Sequence, residues 1–175
     1  MNARPLIGFP PIARRDARLL ILGSMPGEAS LRAGEYYAHP RNAFWPIIAD
    51  LLAFPAGLPY PARAAWLRES GIALWDVLRT CLRRGSLDSD IDPASAEIND
   101  FTSFFASHPR VKVVCFNGGA AENIYRRMVL PGLPARPAGL ERHRLPSTSP
   151  ANACYSYGAK LQAWREIING SQPEA

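Results

Sequence analysis

Short runs of β-branched and leucine residues alternate along the chain with longer segments that have helical spacing. The runs predict four strands: Arg18–Leu22, Ile72–Leu78, Val111–Phe116 and Arg142–Leu145. The segments with helical spacing predict five helices: Phe44–Leu52, Tyr60–Glu69, Ala94–Ser107, Ala120–Met128 and Gly158–Ile168. Strands that alternate with helices are typical of a parallel sheet. The pattern therefore predicts an α/β fold whose helices cover both faces of the sheet.

Proline and glycine are concentrated in the connections between these elements. Both are frequent in Phe54–Pro61 and Pro131–Gly139, and a run such as Pro-Gly-Leu-Pro-Ala-Arg-Pro-Ala-Gly cannot continue a helix or a central strand. We therefore predict surface loops at both places. The sequence has no internal repeat and no long polar linker, which predicts a single domain over residues 1–175.

The charge balance is basic. Lysine and arginine exceed aspartate and glutamate by 20 to 15, and the sequence pI is near 9.4. Almost all of the basic residues are arginines, whose planar guanidinium group suits phosphate recognition. This balance favours a polyanionic partner, although many basic proteins bind no nucleic acid.

The cysteine pattern and the hydropathy bound the compartment. Cys81, Cys115 and Cys154 lie far apart and lack the paired spacing of a zinc or iron–sulfur site, so we expect reduced thiols, no metal and no other cofactor. No stretch approaches the roughly 20 apolar residues of a membrane span, and the first residues lack a signal-peptide pattern. The sequence therefore predicts a cytoplasmic protein without membrane contact.

Small and polar residues follow each predicted strand. In open α/β sheets, ligands bind at the carboxyl ends of the strands. The segments at those ends are Gly23–Gly27, Asp76–Thr80, Asn117–Gly119 and Pro146–Asn152. The first and last of them are rich in Gly, Ser, Thr and Pro, whose exposed amides and hydroxyls can hold phosphate oxygens.

Two of these segments carry motifs that resemble those of the uracil-DNA glycosylase superfamily. The first is Gly-Ser-Met-Pro-Gly at 23–27, followed by Tyr-Tyr-Ala-His-Pro-Arg-Asn-Ala-Phe-Trp at 36–45; the second is Pro-Ser-Thr-Ser-Pro at 146–150. The sequence looks most similar to the hypoxanthine (deoxyinosine) branch. Each motif is short, but their coincidence at matching ends of one sheet makes the resemblance specific.

The resemblance implies a three-layer α/β/α sandwich with a central parallel four-stranded sheet. It also implies a monofunctional DNA glycosylase of base excision repair, which hydrolyses the N-glycosidic bond of a flipped, deaminated base and leaves an abasic site. The base would be hypoxanthine, uracil or both. The implied partner is DNA containing deaminated bases, and the implied protein is a monomer that uses no metal.

Two departures from the family pattern make Asn42 the leading candidate for the catalytic residue. Met25 stands where relatives have asparagine, and Leu145 where they have histidine or asparagine, so two polar groups are missing. The resemblance to the hypoxanthine branch implies catalysis by Asn42, whose amide oxygen can orient a water molecule but cannot take its proton. Alternatively, Asn42 caps the helix that begins near Ala43.

Four residues are candidates for binding the base. Tyr37 matches the position that stacks on the extruded base, and Asp76 matches the position that reads its N–H group. The base carbonyl would then bind a backbone amide near Met25 or Asn117. The alternatives are that Tyr37 is a packing residue, that Asp76 pairs with Arg79 or Arg83, and that Asn117-Gly118-Gly119 is a helix entry.

Three serines are candidates for binding DNA phosphates: Ser24 in the first motif, and Ser147 and Ser149 in the second. The alternative for the second motif is an ordinary Ser/Pro turn. Ala151 and Asn152 occupy the place where relatives insert a wedge into the duplex, but neither residue type suits that role.

Two other functions compete with base excision. A serine hydrolase would use Ser24 as nucleophile with His39 or His143 as base, but its elbow motif needs the serine one place later in the loop. A nucleic-acid-binding protein that has this fold without turnover is the second alternative, because of Met25 and Leu145.

Overall fold

The computed structural model describes residues 4–55 and 57–170. Its strands in chain order are β1 Leu6–Ile7, β2 Leu19–Gly23, β3 Ile72–Asp76, β4 Leu78–Cys81, β5 Glu97–Ile98, β6 Val113–Asn117 and β7 Glu141–Leu145. Its helices are α1 Glu28–Ala33, α2 Phe44–Leu52, α3 Tyr60–Glu69, α4 Phe101–Ser107, α5 Gly119–Ile124, α6 Ala135–Ala138 and α7 Tyr157–Gly170.

The central sheet is parallel and has four strands in the order β3-β2-β6-β7, which confirms the predicted fold class. The register places Gly23 beside Asp76 and Asn117 beside Leu145, so the carboxyl ends of all four strands lie at one edge. The loops that follow these ends are therefore brought together.

Helices cover both faces of this sheet. Leu19 and Ile21 of β2 face a core formed with α2, α3 and α7, in which Phe44 and Trp164 are fully buried. The alternate residues of β2 face the other core, formed with α4 and α5. Because both faces are packed, every residue of β2 and β3 is buried, as is typical of parallel strands.

The predicted strand Ile72–Leu78 is wrong in its last part. β3 ends at Asp76, and β4 leaves the central sheet to pair with β1 and β5 in a separate antiparallel sheet. The physical reason is that β4, unlike β3, is not buried throughout: Arg79 is exposed and Thr80 is partly exposed, which an antiparallel sheet at the surface allows and a central parallel strand does not.

The predicted helix Ala94–Ser107 is wrong in its first half. Asp92 caps a single 3₁₀ turn at Pro93–Ser95, β5 follows, and α4 begins only after Asp100, whose carboxylate accepts a hydrogen bond from the Ser103 amide at 3.0 Å. The predicted loop Pro131–Gly139 contains the short helix α6. No helix in the described ranges is long and apolar enough to cross a membrane.

Candidate active site

A cleft of about 440 Å³ opens at the carboxyl ends of the central strands. It brings together every residue that the sequence predicted for catalysis, base binding or phosphate binding: Ser24, Met25, Tyr37, Asn42, Asp76, Asn117, Ser147 and Ser149. These residues come from five stretches of the chain, four of which lie at or just after the ends of the central strands, and those four meet because the strand ends share one edge of the sheet.

The floor of the cleft is formed by Gly23 and the groups around it. A Cβ atom on Gly23 would overlap the Asp76 carboxylate and would lie 2.9 Å from the Tyr37 hydroxyl. Glycine at the end of β2 is therefore what allows both side chains to converge at the floor.

Asp76 is a buried carboxyl group at this floor, with 3% of its surface exposed. Its Oδ2 atom is buried and has no hydrogen-bond partner among the described residues. Burial and the nearby Asp88 raise the pKa of Asp76 to about 7, against a smaller lowering effect of Arg83. The group is therefore poised between its neutral and ionised forms near neutral pH.

The two arginines considered as partners of Asp76 are bonded elsewhere. Arg79 pairs with Glu97 at 2.6 Å on the surface, and the guanidinium of Arg83 donates to the carbonyl of Pro26 at 2.6 Å. The interpretation of Asp76 as one half of an ion pair is therefore wrong, which leaves the carboxyl group free to face a ligand.

The raised pKa predicts how stability depends on pH. The stabilising contribution of a group whose pKa rises from about 4 to about 7 on folding is complete at acidic pH and is lost as the pH rises through 7. Asp76→Asn cannot ionise, so its advantage over wild type in free energy of unfolding should grow by about 2–3 kcal/mol between pH 5 and pH 8. Thermal unfolding at four pH values measures this difference; parallel profiles of the two proteins would contradict it.

Tyr37 presents a supported aromatic ring to the cleft. The ring stacks on Phe44 of α2, with centroids 4.1 Å apart and an interplanar angle of 23°, and its backbone has a left-handed φ of 54°. The hydroxyl is buried without a hydrogen-bond partner in the described chain, and burial together with the Asp76 carboxylate raises its pKa well above the usual range.

The neighbouring Tyr36 is a packing residue. It is buried, its hydroxyl lies 3.2 Å from the Pro10 carbonyl and donates to the backbone there, and its own carbonyl accepts a hydrogen bond from the Trp45 indole at 2.7 Å. The two tyrosines therefore have different surroundings, which the sequence alone did not distinguish.

Asn42 lines the cleft just before α2. Its Oδ1 atom accepts a hydrogen bond from the Phe44 amide at 3.0 Å, although the N-cap position itself is occupied by Ala43. The capping alternative is thus correct in part: the side chain holds the start of the helix from one position earlier. A carbonyl oxygen has a second lone pair, so this bond still allows Asn42 to accept a hydrogen bond from a water molecule.

Asn117 joins the end of β6 to the second motif. Its Nδ2 atom donates to the Thr148 hydroxyl and its Oδ1 atom accepts from the Thr148 amide, both at 2.8 Å. The Thr148 carbonyl in turn accepts from the Ala43 amide at 3.0 Å, next to Asn42. Helix α5 begins at once after Gly118, as the alternative reading held. The Asn117 side chain therefore positions the two motifs relative to each other.

The serines differ in what their hydroxyls can offer. Ser147 and Ser149 accept hydrogen bonds from the amides two residues later, at 3.2 Å each, so both hydroxyl hydrogens are still available to a phosphate. Ser24 instead donates its hydrogen to the Asp88 carboxylate. In this arrangement the Ser24 hydroxyl has no hydrogen left for a phosphate.

Asp88 belongs to a part of the site that the sequence did not indicate, and Arg83, considered from the sequence only as a partner of Asp76, lies in the same loop. Both lie between β4 and β5, and Asp88 forms one wall of the cleft. Burial raises the pKa of Asp88, while the Ser24 hydroxyl and Arg83 oppose that shift. The loop has no motif and reaches the site only through tertiary contacts, so no local signal could have identified it.

The two residues that depart from the family pattern contribute little polar chemistry. Met25 lines the cleft, and it is buried in an apolar cluster with Leu78 and Cys81. Leu145 is buried in the core against α2 and α7. Both positions carry apolar residues because their side chains lie in apolar clusters.

The serine hydrolase alternative is not supported. The Ser24 hydroxyl donates to Asp88 and not to a histidine; His39 accepts from the Arg41 amide at 3.1 Å, and His143 pairs with Glu141 at 2.6 Å. Within the described chain, no group of three His, Cys, Asp or Glu side chains is close enough to hold a metal ion.

The fold and the cleft define an α/β protein with a site suited to one flat, polar ring: an aromatic face, a buried carboxyl group and a half-buried amide converge on it. The sequence model of the Uracil DNA glycosylase superfamily matches residues 10–170. The chain belongs to this superfamily.

Two similar proteins and one similar solved structure agree with this classification. The chain is 35% identical over 165 residues to the "Hypoxanthine DNA glycosylase" of Methanosarcina acetivorans and equally to that of Methanosarcina barkeri, covering 92% of this chain and 96% of each relative. A solution NMR structure of a candidate uracil DNA glycosylase from Methanosarcina acetivorans superposes with a TM-score of 0.79 at 31% identity, over 96% of this chain and 99% of that one.

Proposed function

We propose that this chain excises hypoxanthine from DNA by hydrolysing the N-glycosidic bond, which leaves an abasic site and the free base. The observation that carries the proposal is the shared cleft of Tyr37, Asn42 and Asp76 in a chain of the uracil-DNA glycosylase superfamily. The two similar hypoxanthine DNA glycosylases support the choice of base. Uracil, which has the same N–H and carbonyl groups, is a second substrate that these contacts would accept.

Tyr37 supplies the surface on which the extruded base stacks. A glycosylase must rotate the nucleotide out of the duplex, which costs unstacking and unpairing free energy. Stacking on an aromatic ring returns about 1–3 kcal/mol, and it accepts purines and pyrimidines alike. Because Phe44 supports the Tyr37 ring from behind, the ring keeps its orientation without the base.

Asp76 reads the edge of the base. In its ionised form the carboxylate accepts a hydrogen bond from the ring N–H of hypoxanthine or uracil, and a main-chain amide near Met25 donates to the carbonyl beside it. Adenine and cytosine carry an unprotonated ring nitrogen at that position, which a carboxylate repels. Because Oδ2 is buried without a partner, leaving it without a ligand is costly, which favours a base that fills this contact.

Asn42 orients the attacking water. The bond between the base nitrogen and C1′ breaks first, its electron pair leaves with the base, and the sugar becomes an oxocarbenium-like cation. The water oxygen then bonds to C1′ and loses a proton to solvent, while the departing base anion takes up a proton from solvent to become the free base. A cationic carbon needs no strong base, so an amide oxygen that holds the water in line is sufficient.

A strand-cleavage assay tests the proposal. The protein is incubated with duplexes that carry one hypoxanthine, uracil or xanthine, and alkali then cleaves any abasic site. We expect cleavage at hypoxanthine above all. The apolar residues Met25 and Leu145 favour a second candidate, a DNA-binding protein without turnover, and binding without cleavage of any duplex would support that alternative instead.

Asp76→Asn is expected to change the order of preference among bases. The asparagine can donate as well as accept, so discrimination against cytosine and adenine should weaken by about tenfold, which corresponds to about 1.4 kcal/mol. Excision rates of wild type and variant on hypoxanthine, uracil, cytosine and adenine duplexes measure this. An unchanged profile would show that Asp76 does not read the base.

We further propose that the protein is a single-domain, monomeric enzyme, that it acts on DNA in the cytoplasm, and that it needs no metal or other cofactor. The net charge of +5 supports the DNA partner, since cationic surfaces attract phosphates over long range. Size-exclusion chromatography tests the monomer, and activity after treatment with a chelator tests the independence from metal.

A further inference from the structure

The loop between β4 and β5 carries an exposed leucine at the rim of the cleft. Leu87 is 52% exposed, and it borders both the cleft and the groove next to it, where Arg144 and Tyr155 lie. An isolated surface leucine needs no explanation. Leu87 differs from an isolated surface leucine because it lies at the mouth of the cleft that the proposed function assigns to an extruded nucleotide.

Hydrogen bonds on either side of Leu87 fix the position of its backbone. The Ser86 hydroxyl oxygen accepts from the Glu28 amide at 3.1 Å, and Asp88 accepts from Ser24. Leu87 itself is extended, with φ −83° and ψ 140°, between the bend at Ser86 and the 3₁₀ turn that begins at Asp88. Because both neighbours are bonded to the first motif or the helix that follows it, Leu87 is held at the rim of the cleft.

Hydrogen bonds also anchor the base of the loop between β4 and β5. The buried guanidinium of Arg83 donates to the Pro26 carbonyl at 2.6 Å and to the Gly85 carbonyl at 2.9 Å, and the Asp92 amide donates to the Leu82 carbonyl at 2.9 Å. An exposed apolar side chain on a loop anchored in this way can press against DNA without the loop yielding.

We propose that Leu87 is the wedge that enters the duplex where the target nucleotide leaves the stack, an inference that rests on the proposed function. Apolar side chains fill such gaps in bent DNA and hinder the return of the base. The residues in the second motif do not suit this role: Ala151 is small, and the Asn152 amide donates to the Ser147 carbonyl at 3.0 Å.

The test compares excision of hypoxanthine from two duplexes, one with cytosine opposite the target and one with an abasic-site analogue there. A wedge is needed most where a stable pair must be broken. The Leu87→Ala variant should therefore excise hypoxanthine about tenfold or more slower than wild type from the duplex with cytosine opposite the target. From the duplex with the abasic-site analogue, its rate should fall by less than about threefold. Leu87→Phe should restore most of the rate. Ile7→Ala, which truncates an exposed residue of β1 outside the cleft, should match wild type on both.

Equal slowing of Leu87→Ala on the two duplexes, or none on either, would overturn the wedge. Tyr155 is the rival wedge, because it is equally exposed at 52% and borders the adjoining groove. If Tyr155→Ala slowed excision only on the duplex with cytosine opposite the target, and Leu87→Ala did not, the wedge would be Tyr155 and not Leu87. If wild type cleaves neither duplex, the proposed function fails, and the wedge with it. Cleavage of both by wild type separates the two questions.

Discussion

Asn42→Ala is expected to lower the rate of excision by about 10²–10⁴-fold while DNA affinity stays close to wild type. In the proposed mechanism the amide oxygen orients the attacking water, a positioning role whose loss costs this much in enzymes that place a reacting group. The amide adds little to the contacts with DNA phosphates. Single-turnover excision of hypoxanthine and a DNA titration at one salt concentration measure the two quantities.

The same variant also loses the hydrogen bond from the Phe44 amide, which holds the start of α2. This structural loss should cost about 1 kcal/mol in the free energy of unfolding. Asn42→Asp is the matched control, because its carboxylate keeps an acceptor for that amide. An Asn42→Ala protein that is destabilised by this amount but turns over normally would assign Asn42 to the helix start alone.

Gly23→Ala is expected to abolish most of the activity, with a loss of about 10²-fold or more. The added Cβ atom would overlap the Asp76 carboxylate and press on the Tyr37 hydroxyl, so the side chains proposed to read the base and to stack on it would both move. A displacement of about 1 Å in a positioned group can cost 10²-fold in rate. Excision assays and thermal unfolding measure the effect on activity and on the fold.

Gly158→Ala serves as the control for adding a methyl group. A Cβ atom at this position of α7 meets nothing within 4 Å, and alanine favours helix over glycine, so activity should be unchanged and stability slightly higher. Full activity of Gly23→Ala would mean that the floor of the cleft yields freely and that the positions of Asp76 and Tyr37 are not critical.

Three strands of the central sheet, β2, β3 and β6, were predictable because they are largely apolar runs separated by segments with helical spacing, whereas the edge strand β7 is mostly charged and carries a much weaker signal. α2 and α3 have the predicted bounds, since each has a clear start and a proline or glycine-rich loop nearby. The antiparallel sheet was not predictable. β1 and β5 have two residues each, too few for any periodicity, and β4 continues the same apolar run as β3.

The positions of the site residues followed from the motifs, but their chemical states did not. Nothing in the sequence near Asp76 indicates a raised pKa, because the causes are burial and Asp88, which is close in space but lies in a later loop of the chain. The start of α4 could have been found, since Asp100 and Ser103 have the spacing of a capped helix. The loop with Arg83 and Asp88 depends on contacts across the fold, which no local pattern encodes.

The left-handed backbone at Tyr37 has a consequence for recognition. A residue with a side chain disfavours this conformation by about 1–2 kcal/mol, and here the packing of the ring against α2 compensates for it. The fold meets that cost while it forms, before any DNA is bound. If Tyr37 stacks on the base as proposed, its ring is already oriented when the nucleotide arrives. The free energy of binding is then available for extruding the nucleotide from the DNA duplex and is not spent on reshaping the protein.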